Sequence, residues 1–212
     1  MKIFSEYFES CPLIAILRGI NPNEILSVGE ELVEAGFKII EVPLNSPEAL
    51  KSIELATKHF TNDILIGAGT VLNTDEVQKV SNAGGRLIVS PHADPLIVTK
   101  TKALNLFAIP GFCSVTEAQS MIRCNANALK LFPAEGNPPE TLKAIRAVLD
   151  QSIHILPVGG ITPEKIAPYL KAGANGFGLG SALYRPGDKP NEVSLKARDF
   201  LNAMKEHQHY KR

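Results

Sequence analysis

One lysine of this chain stands in the middle of an apolar segment, where a charge is costly. Lys130 lies within Ala128-Leu-Lys-Leu-Phe132. An unpaired ammonium group is disfavoured away from water, so a lysine in such a place tends to lose its proton. The neutral amine is the form that adds to a carbonyl group and makes a Schiff base. We therefore predict that Lys130 is a nucleophile. The alternatives are a structural lysine paired with a buried acid, or one whose amine reaches water at a strand end.

Glu41 interrupts a second apolar segment in the same way, within Lys38-Ile-Ile-Glu-Val42. A carboxyl group in a dry site beside a lysine has a shifted pKa and can serve as a general acid and base. The alternative is a structural ion pair, including one with Lys130 itself. Two opposite charges, each in an apolar strand, are more informative together than singly, and we predict catalytic roles for both.

Two glycine-containing loops near the end of the chain predict a phosphate site. The segment Gly159-Gly160-Ile161-Thr162-Pro163 precedes a predicted helix, and Gly180-Ser181 follows the last predicted strand. Glycines allow the backbone to approach a ligand closely, and the N–H groups at a helix start attract anions. The alternative is that these glycines only permit tight turns.

Two further polar residues follow predicted strands. Thr70 ends the segment Gly67-Ala-Gly-Thr70. Its hydroxyl either donates a hydrogen bond to substrate, or the glycines before it only relieve crowding. Arg18 follows Ile14-Ala-Ile-Leu17 and can bind a carboxylate with two hydrogen bonds or pair with Glu41. The histidines show no metal-ligand spacing with a second histidine or acid, which disfavours a metal-dependent enzyme. His92 is interpreted as a polar loop residue.

The elements that must position these residues are eight short apolar segments, each separated from the next by enough chain for a helix and two loops. They are Pro12–Leu17, Lys38–Val42, Ile64–Ala68, Arg86–Val89, Leu106–Ile109, Ala128–Phe132, Ile153–Val158 and Gly176–Leu179. This succession predicts an α/β protein, a single-domain (β/α)8 TIM barrel. A doubly wound open sheet is the alternative, but it would leave two edges to protect. In a barrel, reactive groups lie where the strands end, as all the candidates above do.

Helix boundaries are also marked in the sequence. Ser46-Pro47-Glu48 and Thr162-Pro163-Glu164 predict a capping side chain before a proline at the first helical position. Ser114 and Glu117 have the spacing of a capping box. Gly36, Gly84 and Gly173 each follow an alanine and predict helix ends.

The composition is that of a globular protein. The 212 residues contain 44% hydrophobic residues and 22 charges of each sign, so no basic surface indicates nucleic acid or an anionic membrane. We expect one domain over residues 1–212, with a frayed tail from about residue 205. Three cysteines without a Cys-x-x-Cys pair are typical of a reducing cytoplasm, and neither a signal peptide nor a membrane helix is predicted.

Several ordered motifs together resemble the 2-keto-3-deoxy-6-phosphogluconate/phosphogalactonate aldolases. They are Glu41-Val-Pro-Leu-Asn-Ser46, Gly67-Ala-Gly-Thr-Val71, Ile109-Pro-Gly111, Lys130-Leu-Phe-Pro-Ala134, Gly159-Gly-Ile161 and Leu179-Gly-Ser181. The resemblance extends from Pro12 to about Gly187. It implies a (β/α)8 barrel, a homotrimer, no metal or organic cofactor, and cleavage of a phosphorylated keto-deoxy sugar acid to pyruvate and D-glyceraldehyde 3-phosphate.

The resemblance also implies roles for individual residues. Lys130 matches the Schiff-base lysine and Glu41 the proton donor and acceptor. The phosphate is surrounded by Gly160, Thr162, Gly180 and Ser181, while Thr70 and Arg18 hold the pyruvate portion or its neighbouring hydroxyls. Phosphogluconate enzymes have an arginine where this chain has Asn45, and Arg18 is the replacement. This departure favours the phosphogalactonate substrate. The alternatives are the gluconate epimer, an isomerase or synthase of phosphorylated sugars, and a sugar-phosphate binding barrel without aldolase activity.

Overall fold

The computed structural model describes residues 2–207. Its helices are α1 (Phe4–Ser10), α2 (Ile25–Ala35), α3 (Ala49–His59), α4 (Thr74–Asn82), α5 (Pro95–Ala103), α6 (Val115–Arg123), α7 (Pro139–Arg146), α8 (Pro163–Lys171) and α9 (Pro190–Glu206), with a 3-10 turn at Ala134–Gly136. Its strands are β1 (Leu13–Ile16), β2 (Ile39–Pro43), β3 (Leu65–Gly69), β4 (Leu87–Val89), β5 (Phe107–Ile109), β6 (Gly111–Phe112), β7 (Leu129–Leu131), β8 (Ile155–Pro157) and β9 (Phe177–Leu179).

The strands form a closed parallel barrel. β1 to β5 pair in sequence order, β9 pairs with β1, and β6, β7 and β8 form the remaining section. Pro110 divides the fifth barrel strand into β5 and β6 because proline has no N–H to donate, although its carbonyl accepts a bond from the Lys130 N–H at 2.9 Å. A bridge between Val158 and Gly178 joins β8 to β9. The predicted (β/α)8 barrel is confirmed, and its closure excludes the open sheet.

Two sets of buried side chains show which way each strand residue faces. One set fills the barrel interior and consists of Ile14, Ile39, Leu65, Leu87, Val89, Ile109, Ala128 and Leu156. The other lies between the strands and the helices. Because successive strand residues face opposite sides, Glu41 and Lys130, each two positions beyond an interior residue, also face the interior. The period of the strands thus directs both charged groups inward, near the carboxyl ends of β2 and β7.

The first helix, which the sequence analysis did not predict, closes the opposite end of the barrel. Phe4, Tyr7 and Phe8 of α1 are buried and join the interior set. The Phe8 ring lies 4.8 Å from the ring of His154, which precedes β8. The amino ends of the strands are therefore covered, and the carboxyl ends face the candidate site.

Most of the predicted helix boundaries are confirmed. Ser114 and Glu117 form the capping box of α6. Gly36, Gly84 and Gly173 follow α2, α4 and α8 with φ values of 120°, 84° and 101°. These angles lie in the left-handed region that glycine adopts without strain.

Three boundary predictions need correction. Ser46 does not cap α3, because the helix begins at Ala49, directly after Glu48 with φ 44°. The Ser46 hydroxyl instead accepts a hydrogen bond from the Gly19 N–H at 2.8 Å. Thr162 occupies the cap position of α8 but makes no side-chain bond to the helix backbone. α9 continues to Glu206, so the first residues of the expected frayed tail are helical, and 208–212 lie outside the described residues. None of the helices within residues 2–207 combines the length and the apolar composition that a membrane span requires.

Candidate active site

Lys130 lies in the barrel interior with 5% of its surface exposed. Its Nζ is 4.5 Å from the centroid of the Phe132 ring. Burial lowers the pKa of the Lys130 amine; the Glu41 carboxylate opposes this shift, and the Arg18 charge adds to it. Loss of hydration disfavours the ammonium form more than one neighbouring carboxylate favours it. Burial therefore favours the neutral form of the Lys130 amine.

Glu41 is more deeply buried, with 2% exposure. Its carboxylate accepts a hydrogen bond from the Gly69 backbone, and among the described residues its Oε2 has no hydrogen-bond partner. Burial raises the pKa of the Glu41 carboxyl to about 7, although the charges of Lys130 and Arg18 and the Gly69 hydrogen bond act against the shift. A carboxyl group with such a pKa can both accept and return a proton near neutral pH.

Gly69 is glycine because of Glu41. A Cβ atom at position 69 would overlap both carboxylate oxygens of Glu41. Gly69 has no strained backbone angle that would itself demand glycine. The Gly-Ala-Gly segment after β3 therefore makes room for the buried acid, which is a more specific role than the general relief of crowding considered from the sequence.

Arg18 is fixed at the mouth of the barrel by two hydrogen bonds. Its Nη1 donates to Asn45 Oδ1 at 2.6 Å and its Nη2 to Thr70 Oγ1 at 3.3 Å. These bonds go to neutral groups rather than to Glu41, so the positive charge stays available to an anion. The structure thus brings together Arg18 and Thr70, and it places Asn45 as the residue that orients the guanidinium.

The loops after β8 and β9 form the opposite wall. Gly159 and Gly160 have φ values of 114° and 59°, which turn the backbone sharply before α8. Gly180 follows β9 and has no atom near the place that a Cβ would occupy. Gly159 and Gly160 thus have backbone angles that favour glycine, whereas the absence of a side chain at Gly180 leaves open space at the surface of its loop.

A cavity of about 440 Å³ connects these parts. Five of the residues predicted from sequence line it: Arg18, Lys130, Gly160, Gly180 and Ser181. Glu41 and Thr70 do not line it, but they lie behind its wall through their interactions with Lys130 and Arg18. Thr162 is at the start of α8 and does not reach the wall, and His92 is exposed elsewhere.

Sequence reasoning missed several residues of the wall. Phe132, Glu135 and Arg185 also line the cavity. Phe132 was visible as the second residue after Lys130 on the same strand face. Glu135 and Arg185 lie in loops that follow barrel strands, which is where the sequence analysis expected the reactive groups. Within residues 2–207, no group of three or more histidine, cysteine or acidic side chains is arranged to hold a metal ion.

Comparison with known proteins agrees with this geometry. The sequence profile of the KDPG and KHG aldolases matches residues 4–194. A probable 2-dehydro-3-deoxy-6-phosphogalactonate aldolase of Rhizobium meliloti is 44% identical over 186 residues, which is 88% of each chain. A native KDPGal structure superposes with a TM-score of 0.91 at 39% identity, covering 93% of this chain and 96% of that one.

The KDPG aldolase of Legionella pneumophila, solved with pyruvate captured as a covalent carbinolamine, has a TM-score of 0.82 at 29% identity and covers 93% of this chain and 96% of its own. Profile, identity and fold agree over nearly the whole length of the barrel, and the chain belongs to the KDPG and KHG aldolase family.

Proposed function

We propose that this protein is a class I aldolase that cleaves 2-dehydro-3-deoxy-6-phosphogalactonate to pyruvate and D-glyceraldehyde 3-phosphate. The observation that carries the proposal is the pair of buried, opposite charges in the barrel interior. Burial shifts the pKa of Lys130 downward and that of Glu41 upward. Burial thereby favours the neutral amine that imine formation requires, and it brings the pKa of the Glu41 carboxyl to about 7, where the group can both accept and return a proton.

The first half of the reaction forms an electron sink. The neutral Nζ of Lys130 adds to the C2 ketone of the substrate to give a carbinolamine. The carbinolamine hydroxyl takes up a proton from solvent and leaves as water, so that a protonated imine remains. The carboxylate of Glu41 then accepts the proton of the C4 hydroxyl. The C3–C4 bond breaks, its electron pair forms an enamine with the imine carbon, and D-glyceraldehyde 3-phosphate leaves.

The second half restores the enzyme. The protonated Glu41 returns its proton to C3 of the enamine, which regenerates the protonated imine. Addition of water then releases pyruvate, the free amine of Lys130 and, to solvent, the proton taken up when the imine formed. One acid thus gives back the proton that it accepted. A pKa near neutrality suits both steps, because neither form is then strongly favoured.

The two ends of the substrate have matching groups. Arg18, oriented by Asn45 and Thr70, is suited to the C1 carboxylate. The loops containing Gly160, Thr162, Gly180 and Ser181 are suited to the 6-phosphate. Gly160 and Gly180 line the cavity and can offer backbone N–H groups, Ser181 can offer a hydroxyl, and Thr162 stands behind the wall at the start of α8. Binding both ends places C2 beside Lys130 and contributes binding energy to orientation.

The choice of the galactonate epimer rests on two observations. The relative named as a phosphogalactonate aldolase is 44% identical, against 29% for the Legionella phosphogluconate enzyme. The resemblance implies an arginine at this position in the phosphogluconate enzymes, whereas here Asn45 accepts a hydrogen bond from Arg18. The test is kcat/KM for the two C4 epimers, followed by pyruvate release. We expect the galactonate epimer to be preferred; equal or reversed values would contradict the assignment.

We also propose that one aldolase unit extends over the whole chain, that it acts in the cytoplasm, where phosphorylated sugar acids are retained, and that it assembles as a homotrimer. Exposed apolar side chains support self-association. Leu72, Leu96 and Val115 are 50%, 69% and 38% exposed and follow the carboxyl ends of β3, β4 and β6 on one side of the barrel. Light scattering on the eluted protein should give three times the chain mass, and a monomer mass would contradict the trimer.

A further inference from the structure

The cavity wall has an uneven distribution of charge. Among the described residues that line it, Arg18, Lys130 and Arg185 are basic and Glu135 is acidic. Arg185 and Glu135 belong to the end formed by the loops after β7 and β9. The two residues have no part in the imine chemistry above, so their place in the wall needs another explanation.

The first two basic residues are engaged at the other end of the cavity. Arg18 is tied to Asn45 and Thr70. Burial lowers the pKa of Lys130, and its Nζ becomes the imine nitrogen in the proposed reaction. Two cations within residues 2–207 then lie near a phosphate bound at the glycine loops. Lys165 donates from Nζ to the Gly160 carbonyl at 2.6 Å but does not line the cavity, whereas Arg185 lines it.

Arg185 is held in a defined position. Its Nε donates to the Ser181 carbonyl at 3.0 Å, and its backbone N–H donates to Asp188 at 2.8 Å. Asp188 forms a salt bridge with Lys196 at 2.6 Å, so its charge is already offset. The bond to Ser181 uses one of five guanidinium donors. The terminal nitrogens provide the fork that binds phosphate in pairs of hydrogen bonds.

Glu135 opposes an anion at the same place. Its carboxylate packs on the two left-handed glycines: a Cβ on Gly160 would lie 2.8 Å from Oε1, and one on Gly159 would overlap Oε2. A phosphate on this loop would meet a like charge, which weakens binding. The backbone N–H groups of this loop therefore attract the phosphate while the neighbouring Glu135 carboxylate repels it. A cation in the cavity wall would offset that repulsion.

We propose that Arg185 binds the phosphate monoester of the substrate and that Glu135 limits the strength of this binding, so that the pair sets the selectivity for phosphorylated over unphosphorylated donors. This inference rests on the proposed aldolase function. It assigns Arg185 and Glu135 opposite effects on the ratio of kcat/KM for the phosphorylated substrate to kcat/KM for the unphosphorylated one.

The experiment compares kcat/KM for 2-dehydro-3-deoxy-6-phosphogalactonate with that for the same sugar acid lacking phosphate. Arg185→Met should lower the phosphorylated-to-unphosphorylated ratio about 10- to 100-fold, as expected for loss of a charged hydrogen bond. Arg185→Lys keeps the charge but not the fork and should lower the ratio less. Glu135→Gln should raise the ratio by about two- to tenfold, since exposed charges interact weakly.

Arg123→Met, which removes an exposed arginine of α6 outside the cavity, is the matched control and should keep the wild-type ratio. Trapping of the pyruvate imine by borohydride checks that each variant retains a formed site. A wild-type ratio in both Arg185 variants, or an unchanged or lower ratio in Glu135→Gln, would overturn the inference. A wild-type enzyme that traps no pyruvate and cleaves neither donor would instead overturn the proposed function.

Discussion

Replacing Gly69 with alanine places a methyl group against the carboxylate of Glu41. The new Cβ would overlap both carboxylate oxygens, and Glu41 is 2% exposed, so the acid has little space into which to retreat. The backbone of Gly69 itself accepts alanine, because its φ is not in the left-handed region. The change therefore acts mainly through the position of one buried carboxyl group.

The size of the effect follows from the role assigned to that group. Displacing a reacting group by about 1 Å costs on the order of 10²-fold in rate, and complete loss of general acid/base help costs about 10²–10⁴-fold. We expect Gly69→Ala to lower kcat for cleavage by about 10²- to 10³-fold. Overpacking of the interior should also lower the free energy of unfolding by about 1–3 kcal/mol.

The assay follows pyruvate release at saturating substrate, with borohydride trapping of pyruvate as the measure of imine formation and urea unfolding as the measure of stability. Gly136→Ala is the matched control, because a Cβ there meets only Pro133 at 3.9 Å. Adding Gly69→Ala to Glu41→Gln should cost little more kcat, since both act on one group. Near-wild-type cleavage by Gly69→Ala would refute the reasoning.

Four further predictions concern Glu41 and the residues that orient Arg18. Glu41→Gln should retain imine trapping and lose about 10²–10⁴-fold in kcat for cleavage; normal turnover would place proton transfer elsewhere. In wild type, kcat should fall as the pH drops through about 7, where Glu41 is protonated, and this decline should be absent in Glu41→Gln. The pKa of Glu41 is about 4.5 in the unfolded chain and about 7 in the folded protein, so the folded protein binds this proton more tightly. The free energy of unfolding of the wild type, relative to that of Glu41→Gln, should therefore decrease as the pH rises from about 4.5 to 7, and urea unfolding curves at several pH values test this. Asn45→Ala should raise KM about three- to tenfold with a smaller change in kcat, because Arg18 loses an orienting bond; an unchanged KM would contradict that role.

The strands and the central pair were predictable from the sequence for a physical reason. Parallel barrel strands are buried on both sides, so they are continuous apolar segments in which a charged residue is conspicuous. Lys130 and Glu41 each lie two residues beyond an apolar interior residue, and the two-residue period of a strand alone indicates that they face the same side as Ala128 and Ile39. The closed order of eight units then follows from their number.

Long-range contacts were not predictable in the same way. Ser46 has the type and position of a helix cap, but its hydroxyl accepts a bond from Gly19, 27 residues earlier. The approach of Glu135 to Gly159 likewise depends on how loops from different strands meet. Helix α1 is different, because Phe4, Tyr7 and Phe8 have helical spacing that the sequence does display.

The central claim is that the amine of Lys130 forms the imine with the substrate ketone. The most direct measurement is peptide mass analysis after the protein is incubated with pyruvate and reduced with borohydride. We predict one reduced pyruvate adduct, located on Lys130 and absent from Lys130→Met. An unmodified Lys130 peptide, or an adduct on another lysine, would contradict the account.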